Sequence, residues 1–232
     1  MTKFARKALR AALCTGFGAA LLTAAPALAA GNPAGKIQVK LLGTAVLPDG
    51  KITRIEKDLI GLPAGTQTEA NDNYVPTIAI EYFLTPQISA ETICCVTRHK
   101  VTGTGALAGA GLVSNANIIP ATLTLKYHFT GLPGFKPYIG AGPSYFIFVS
   151  EKPGATAAAL GATRQRMNDH FGFALQAGAD VPLGQSGFGL TLDAKRYFLR
   201  TSAHWFAGTT EVLVTRHKID PWVLSAGVAY RF

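Results

Sequence analysis

The chain has 232 residues, 48% of them apolar and only 15% charged, with 25 glycines and a formal net charge of +9. Four of its basic residues and none of its acidic ones fall within the first 29, so the remainder sits at +5. With no run of five or more Lys or Arg, it gives little support to nucleic-acid binding. After residue 30 no apolar run approaches the roughly 18–20 residues that a spanning helix needs. The apolar surface must therefore be used some other way, in a soluble β-protein or a membrane barrel.

The first segment reads as a secretory signal over residues 1–29. Lys3, Arg6, Lys7 and Arg10 precede an apolar stretch from Ala11 to Ala25, and Ala27-Leu28-Ala29 is a small-residue cleavage site. Acylation at Cys14 is disfavoured by the bulky Leu13 before it. Residues 30–232 are then one exported domain.

Period-two alternation predicts eight strands, because successive side chains of a strand point to opposite faces. The first is Ile37 to Val46, ended by the turn Pro48-Asp49-Gly50. Thr77 to Leu84 and Ile88 to Thr97 follow, with Glu81 and Glu91 on a common face. Pro120 to Phe129 alternates most clearly: Leu123, Leu125, Tyr127 and Phe129 face one way, Lys126 and His128 the other. Lys136 to Val149 carries Gly140, Gly142 and Pro143, which suit a tight curve or a weakened wall. Phe171 to Val181 and Phe188 to Leu199 come next. Ile219 to Phe232 closes the series, with Trp222, Leu224, Ala226, Val228, Tyr230 and Phe232 on one apolar face. Cys94 and Cys95 are adjacent and read as two free thiols, since neighbours bridge only with strain.

The connections alternate long and short. Residues 47–73, 101–119, 150–168 and 200–218 are long and polar or Gly-rich, with a short extension expected around Ile52 to Ile60. The other three are tight turns. This rhythm is that of an all-β fold, an eight-stranded antiparallel transmembrane β-barrel of the outer-membrane type. The polar face holds Lys40, Glu81, Glu91, Lys126, Asp180, Asp193, Lys195 and Arg231. Isolated buried charges cost several kcal/mol, roughly, so these eight are expected to pair across the narrow lumen as an ion-pair plug.

Pro120-Ala-Thr-Leu-Thr-Leu-Lys-Tyr-His-Phe129, Phe135-Lys-Pro-Tyr-Ile-Gly-Ala-Gly142, and Asp220-Pro-Trp-Val223 with Gly-Val-Ala-Tyr-Arg-Phe232 resemble segments of the OmpW family of outer-membrane proteins. The sequence departs from that pattern around Cys94 to Lys100, and Arg196 stands where an aromatic is usual. The resemblance implies a Gram-negative outer-membrane location and passive uptake of small hydrophobic molecules. Solutes would enter at the extracellular mouth and leave sideways through the wall. Trp205 and Phe206, with Phe148, are the candidates for an apolar mouth. Tyr230 and Phe232 resemble the C-terminal signal read by the barrel-assembly machinery. Basic residues near the loop bases (Arg98, His99, Lys100, Arg164, Arg166, Arg200, Arg216, His217, Lys218) suit membrane lipid and lipopolysaccharide as partners. Ser202, His204, Asp169 and His170 form no triad spacing, and no metal or cofactor motif is present, so no enzyme is expected. A surface-receptor barrel and a narrow ion-conducting porin are the alternatives.

Overall fold

The computed structural model describes residues 36–232. The expected signal segment lies outside the described residues. The strands are β1 (Ile37–Leu47), β2 (Lys51–Asp58), β3 (Thr66–Ala70), β4 (Asn73–Phe83), β5 (Ile88–Cys94), β6 (Thr97–Gly105), β7 (Gly111–His128) and β8 (Lys136–Pro153). After a short helix α1 (Ala155–Ala159) come β9 (Arg164–Met167), β10 (His170–Pro182), β11 (Phe188–Phe198), β12 (Arg200–Ala207), β13 (Thr210–Lys218) and β14 (Trp222–Arg231).

Eight of these close a ring by antiparallel pairing in the order β1–β4–β5–β7–β8–β10–β11–β14 and back to β1. The first and last strands meet along their full length, from Gln38↔Arg231 to Leu47↔Trp222. Closure satisfies the strand N–H and C=O groups within the wall, which a lipid surround requires. The outer surface exposes Leu41, Ile78, Leu123, Leu125, Ile139, Phe173, Leu175, Leu190, Leu192 and Val228, while the inner face buries the polar set. Polar inside and apolar outside is the inverse of a soluble barrel. The three tight turns, at residues 84–87, 129–135 and 183–187, lie at one end.

The other end corrects the sequence expectation. The four long connections are largely strand, not loop. β7 and β8 run 18 residues each, well past the expected starts and ends. β2, β13, β12 and β9 form a second, four-stranded sheet above the ring. The physical reason is a change of phase. Above the membrane the apolar residues turn inward and the polar ones outward, so the alternation that marks the wall does not continue. Bulges between Trp205 and Phe206, and in β7 between Val113 and Asn117, re-aim the side chains at this level. Likewise the third expected strand is two: β5 stops at Cys94, and Arg98-His99-Lys100 lies inside β6 rather than at a strand end.

At Gly140 and Gly142 the wall strands come close together rather than apart, although the β7–β8 ladder skips Leu123↔Pro143 and Thr124↔Gly142. A Cβ on Gly142 would sit 1.9 Å from the Leu123 carbonyl oxygen, and one on Gly140 would meet the Lys126 stem at 2.9 Å. These glycines let neighbours approach closely. By contrast, a Cβ on Gly43 has nothing nearer than 3.9 Å. We expect Gly142→Ala to lose about 1–3 kcal/mol or more through overpacking against backbone. Gly43→Ala should be neutral. The folded, heat-modifiable band on a gel reads both, and equal folded yields would refute the packing argument.

Candidate functional site: an apolar chamber above a closed lumen

Glu81 of β4 and Glu91 of β5 stand directly opposite each other in the ladder. Two carboxylates so placed repel unless cations bridge them. Lys40 does so from β1, its Nζ 2.8 Å from Glu81 Oε2 and 2.9 Å from Glu91 Oε2. Lys126 does so from β7, at 2.9 and 3.0 Å. Lys195 of β11 extends the array, 3.0 Å from Glu91 Oε1 and 2.7 Å from Asp193 Oδ1. Lys40 also lies 3.6 Å from Asp180. Neutral groups complete the shell. Gln176 Nε2 donates to Glu91 Oε1 at 2.9 Å, Tyr138 donates its hydroxyl proton to Asp193 at 2.8 Å, and His128 Nε2 lies 2.8 Å from Glu81 Oε1. The Lys126 ammonium rests 3.6 Å from the centre of the Tyr138 ring.

Seven of the eight expected plug residues therefore meet in one buried cluster. Arg231 is placed differently. It lies at the tight-turn end, where its guanidinium stacks 3.6 Å from the Phe83 ring centre and acts electrostatically on Glu81 and Asp180. Counted with it, four cations face four carboxylates. Ser89 joins the shell too, its hydroxyl donating to Glu81 and lying 2.9 Å from His128 Nε2. The inward side of His128 was legible from the alternation, but the membership of Ser89, Tyr138, His128 and Gln176 in the network was not, because uncharged polar residues carry no pairing signal of their own.

Above the network the lumen changes character. Phe146, Phe148, Ala174, Tyr197, Leu199, Ile219 and Val223 form an apolar waist. Beside it lies a small apolar pocket, about 460 Å³ with the open space at its mouth counted in, between Val46, Ile93, Cys95, Thr97, Pro120 and Ile219. Ile219 also lines a larger chamber, about 1030 Å³ measured to its open mouth, enclosed by the second sheet, β3, β6 and α1. Trp205, Leu213, Leu112, Leu160, Ile60 and Leu62 are prominent on its wall. Asp58 accepts hydrogen bonds from the backbone N–H groups of Ile60, Gly61 and Leu62 at 2.8–3.0 Å, folding this loop so that Ile60 and Leu62 reach the chamber. The same bonds, Leu62's foremost, hold its carboxyl below the usual range.

The three expected mouth residues separate. Trp205 lines the chamber. Phe206 does not: as the next residue on a strand it turns outward, under the Arg164 guanidinium at 4.0 Å. Phe148 lies in the waist, 1% exposed, rather than at the mouth. Tyr230 packs against Phe188 at 4.6 Å and Phe232 at 4.8 Å, and the Phe232 N–H donates to the Ile37 carbonyl across the seam. Arg196 stays on the outer face, 5.3 Å from the Trp222 ring centre and 3.9 Å from Asp49. His204 and Ser202 share the outer face of β12, where His204 Nδ1 lies 2.7 Å from Glu211 and Nε2 3.1 Å from Asn168.

Beside the smaller cavity the wall has a stretch whose residues join no ladder on either side. The β4–β5 ladder ends at Ile78↔Cys94 and the β5–β7 ladder at Ile93↔Thr122; β6 rejoins β7 at Thr97↔Ile118. Cys95 and Val96 thus belong to no ladder among the described residues, and Pro76 and Pro120, which lack an N–H, flank them. Cys94 is exposed on the outer face and Cys95 buried toward the lumen, both free.

A closed eight-stranded antiparallel barrel with an apolar exterior and a charged, filled lower lumen defines an outer-membrane barrel protein of Gram-negative type. The chain belongs to the OmpW family, whose model matches residues 33–232. It is 35% identical over 223 residues to the uncharacterized outer-membrane protein y4mB of Sinorhizobium fredii, covering 94% of this chain and 90% of that one. Outer membrane protein AlkL of Ectopseudomonas oleovorans is 28% identical over 172 residues, 74% of this chain and 71% of AlkL. The crystal structure of OprG from Pseudomonas aeruginosa superposes with a TM-score of 0.74 at 25% identity, covering 87% of this chain and 98% of that one.

Because Glu91 touches all three lysines, Glu91→Gln should destabilise the barrel by about 3–5 kcal/mol, the usual cost of orphaning buried charge. Adding Lys195→Met should recover part of it. The urea midpoint in micelles, followed by tryptophan fluorescence, measures both; an unchanged midpoint for Glu91→Gln would contradict the network.

Proposed function

We propose that the protein is a passive, non-enzymatic channel for small hydrophobic molecules, loaded from the extracellular side and emptied sideways into the outer membrane. The observation that carries this reading is the stacking of cavities. The large apolar chamber and the smaller one share Ile219, and the smaller one reaches the unpaired wall at Cys95. Straight passage is opposed by the ion-pair network, since an apolar solute offers nothing to replace the contacts of buried charges. Lipid beyond the wall is a favourable sink for the same solute.

The exit supplies its own test. Continuing the Ile78↔Cys94 register by one residue brings Thr77 opposite Cys95. In a Cys94→Ser background, Thr77→Cys should form a disulfide with Cys95 on oxidation and close the gap. Uptake of an apolar fluorescent tracer by expressing cells should then fall several-fold and return with reductant. Full uptake through the locked barrel would sink the lateral exit. No difference between cells with and without the unlocked protein would sink the channel itself.

We also assign the outer rim to lipopolysaccharide. Arg200, Lys218 and Lys51 lie side by side across β12, β13 and β2, and Arg216 and Arg54 form the next pair. Like charges in register destabilise a sheet unless an anion meets them. Asp220 lies 3.5 Å from Lys218 and Glu56 lies 2.9 Å from Arg216. Lys51, Arg54 and Arg200 have no carboxylate at that range among the described residues. Lipopolysaccharide should raise the melting temperature of the purified barrel, and Arg200→Glu with Lys51→Glu should remove most of that rise. An equal rise with dephosphorylated lipopolysaccharide would rule phosphate recognition out.

A further inference from the structure

The large chamber is apolar, but not uniformly so. Five buried polar side chains stand on its wall: Thr66, Thr68, Gln165, Thr215 and His217. Four of them are satisfied within the protein. The Thr66 hydroxyl donates to the Pro63 carbonyl at 2.7 Å and that of Thr68 to the Gly50 carbonyl at 2.6 Å. Thr215 Oγ1 and His217 Nε2 are 2.8 Å apart, and His217 Nδ1 lies 3.3 Å from Thr68 Oγ1.

Gln165 differs. It is 1% exposed, and neither its Nε2 nor its Oε1 has a hydrogen-bond partner among the described residues. It stands opposite Trp205 in the β9–β12 ladder, so amide and indole share the inner face side by side. A buried amide left unpaired costs free energy that Leu or Met of similar size at this position would avoid. An unpaired amide aimed into an apolar cavity, beside its aromatic wall, is therefore the polar handle of a binding site.

We propose that the chamber is a site for neutral amphiphiles, apolar molecules bearing one hydroxyl-type group, and that Gln165 recognises that group. The inference rests on the channel reading above and narrows its substrate class. A hydroxyl both accepts from Nε2 and donates to Oε1, matching the two unpaired functions of the amide. A pure hydrocarbon satisfies neither. Among the described residues a carboxylate finds no cation on this wall: His217, the one titratable group lining it, is held by burial below the ordinary histidine range and so is neutral at pH 7.

The chain has two tryptophans, and Trp222 faces lipid, so Trp222→Phe leaves Trp205 as the sole reporter in the chamber. Quenching of Trp205 by 8-bromo-1-octanol and by 1-bromooctane, each corrected for its partition into the micelle, gives the two affinities. The alcohol should bind about tenfold more tightly, the scale of one good hydrogen bond. Gln165→Leu should bring the ratio to about one without weakening the hydrocarbon. Gln165→Met serves as a second variant, and the heat-modifiable band verifies folding of both. Equal binding of the two compounds by the parent protein, or a preference that survives both substitutions, would overturn the assignment of Gln165 and leave the channel reading intact. Quenching by neither compound would overturn both.

Discussion

Two carboxylates facing each other inside a membrane, Glu81 and Glu91, set the terms for the rest of this structure. Left alone they would repel in a place where water cannot screen them. The lysines of β1, β7 and β11 converge on them, and each lysine comes from a different strand of the ring. The pairing therefore ties together strands that are not neighbours. It also fills the narrow section of the barrel, which an eight-stranded ring is just wide enough to allow. The larger apolar cluster of the lumen lies above this layer, with Phe83 stacked on Arg231 below it, and the apolar side chains outside the ring face lipid.

That division explains how much of the molecule was readable. Within the membrane the polarity contrast is steep, and the alternation of residues such as Leu123, Thr124, Leu125 and Lys126 marks each strand. The charged inner set could be read as partners because charge in a closed interior has few alternatives. Above the membrane the contrast reverses. In β12 the inward residues include Ala203, Trp205 and Ala207, and the outward ones are Arg200, Ser202 and His204. A reader following one phase sees the strand stop where it only changes sign, which is why the second sheet looked like loops.

Placement of individual side chains followed the same limit. Trp205 and Phe206 were grouped by adjacency in sequence, yet a strand sends adjacent residues to opposite sides. Gln165 and Ile219 were not legible at all. Nothing in a lone glutamine within a short basic segment signals burial, and Ile219 matters only because two cavities meet at it. The glycines at 140 and 142 carried a real signal of an unusual wall, but close approach and separation both call for a missing side chain. Only the neighbour's position, the Leu123 carbonyl, distinguishes them.

The seam between β1 and β14 has a kinetic meaning. It joins Gln38 to Arg231, so the ring closes by a contact spanning almost the whole described chain. Such a topology has very high contact order, and its loop-closure entropy must be met before the final ladder gives anything back. Until that moment the growing sheet has two free edges, which hydrocarbon does not tolerate. For this chain, joining the seam as the sheet enters the bilayer is the order of events that leaves no edge exposed to hydrocarbon.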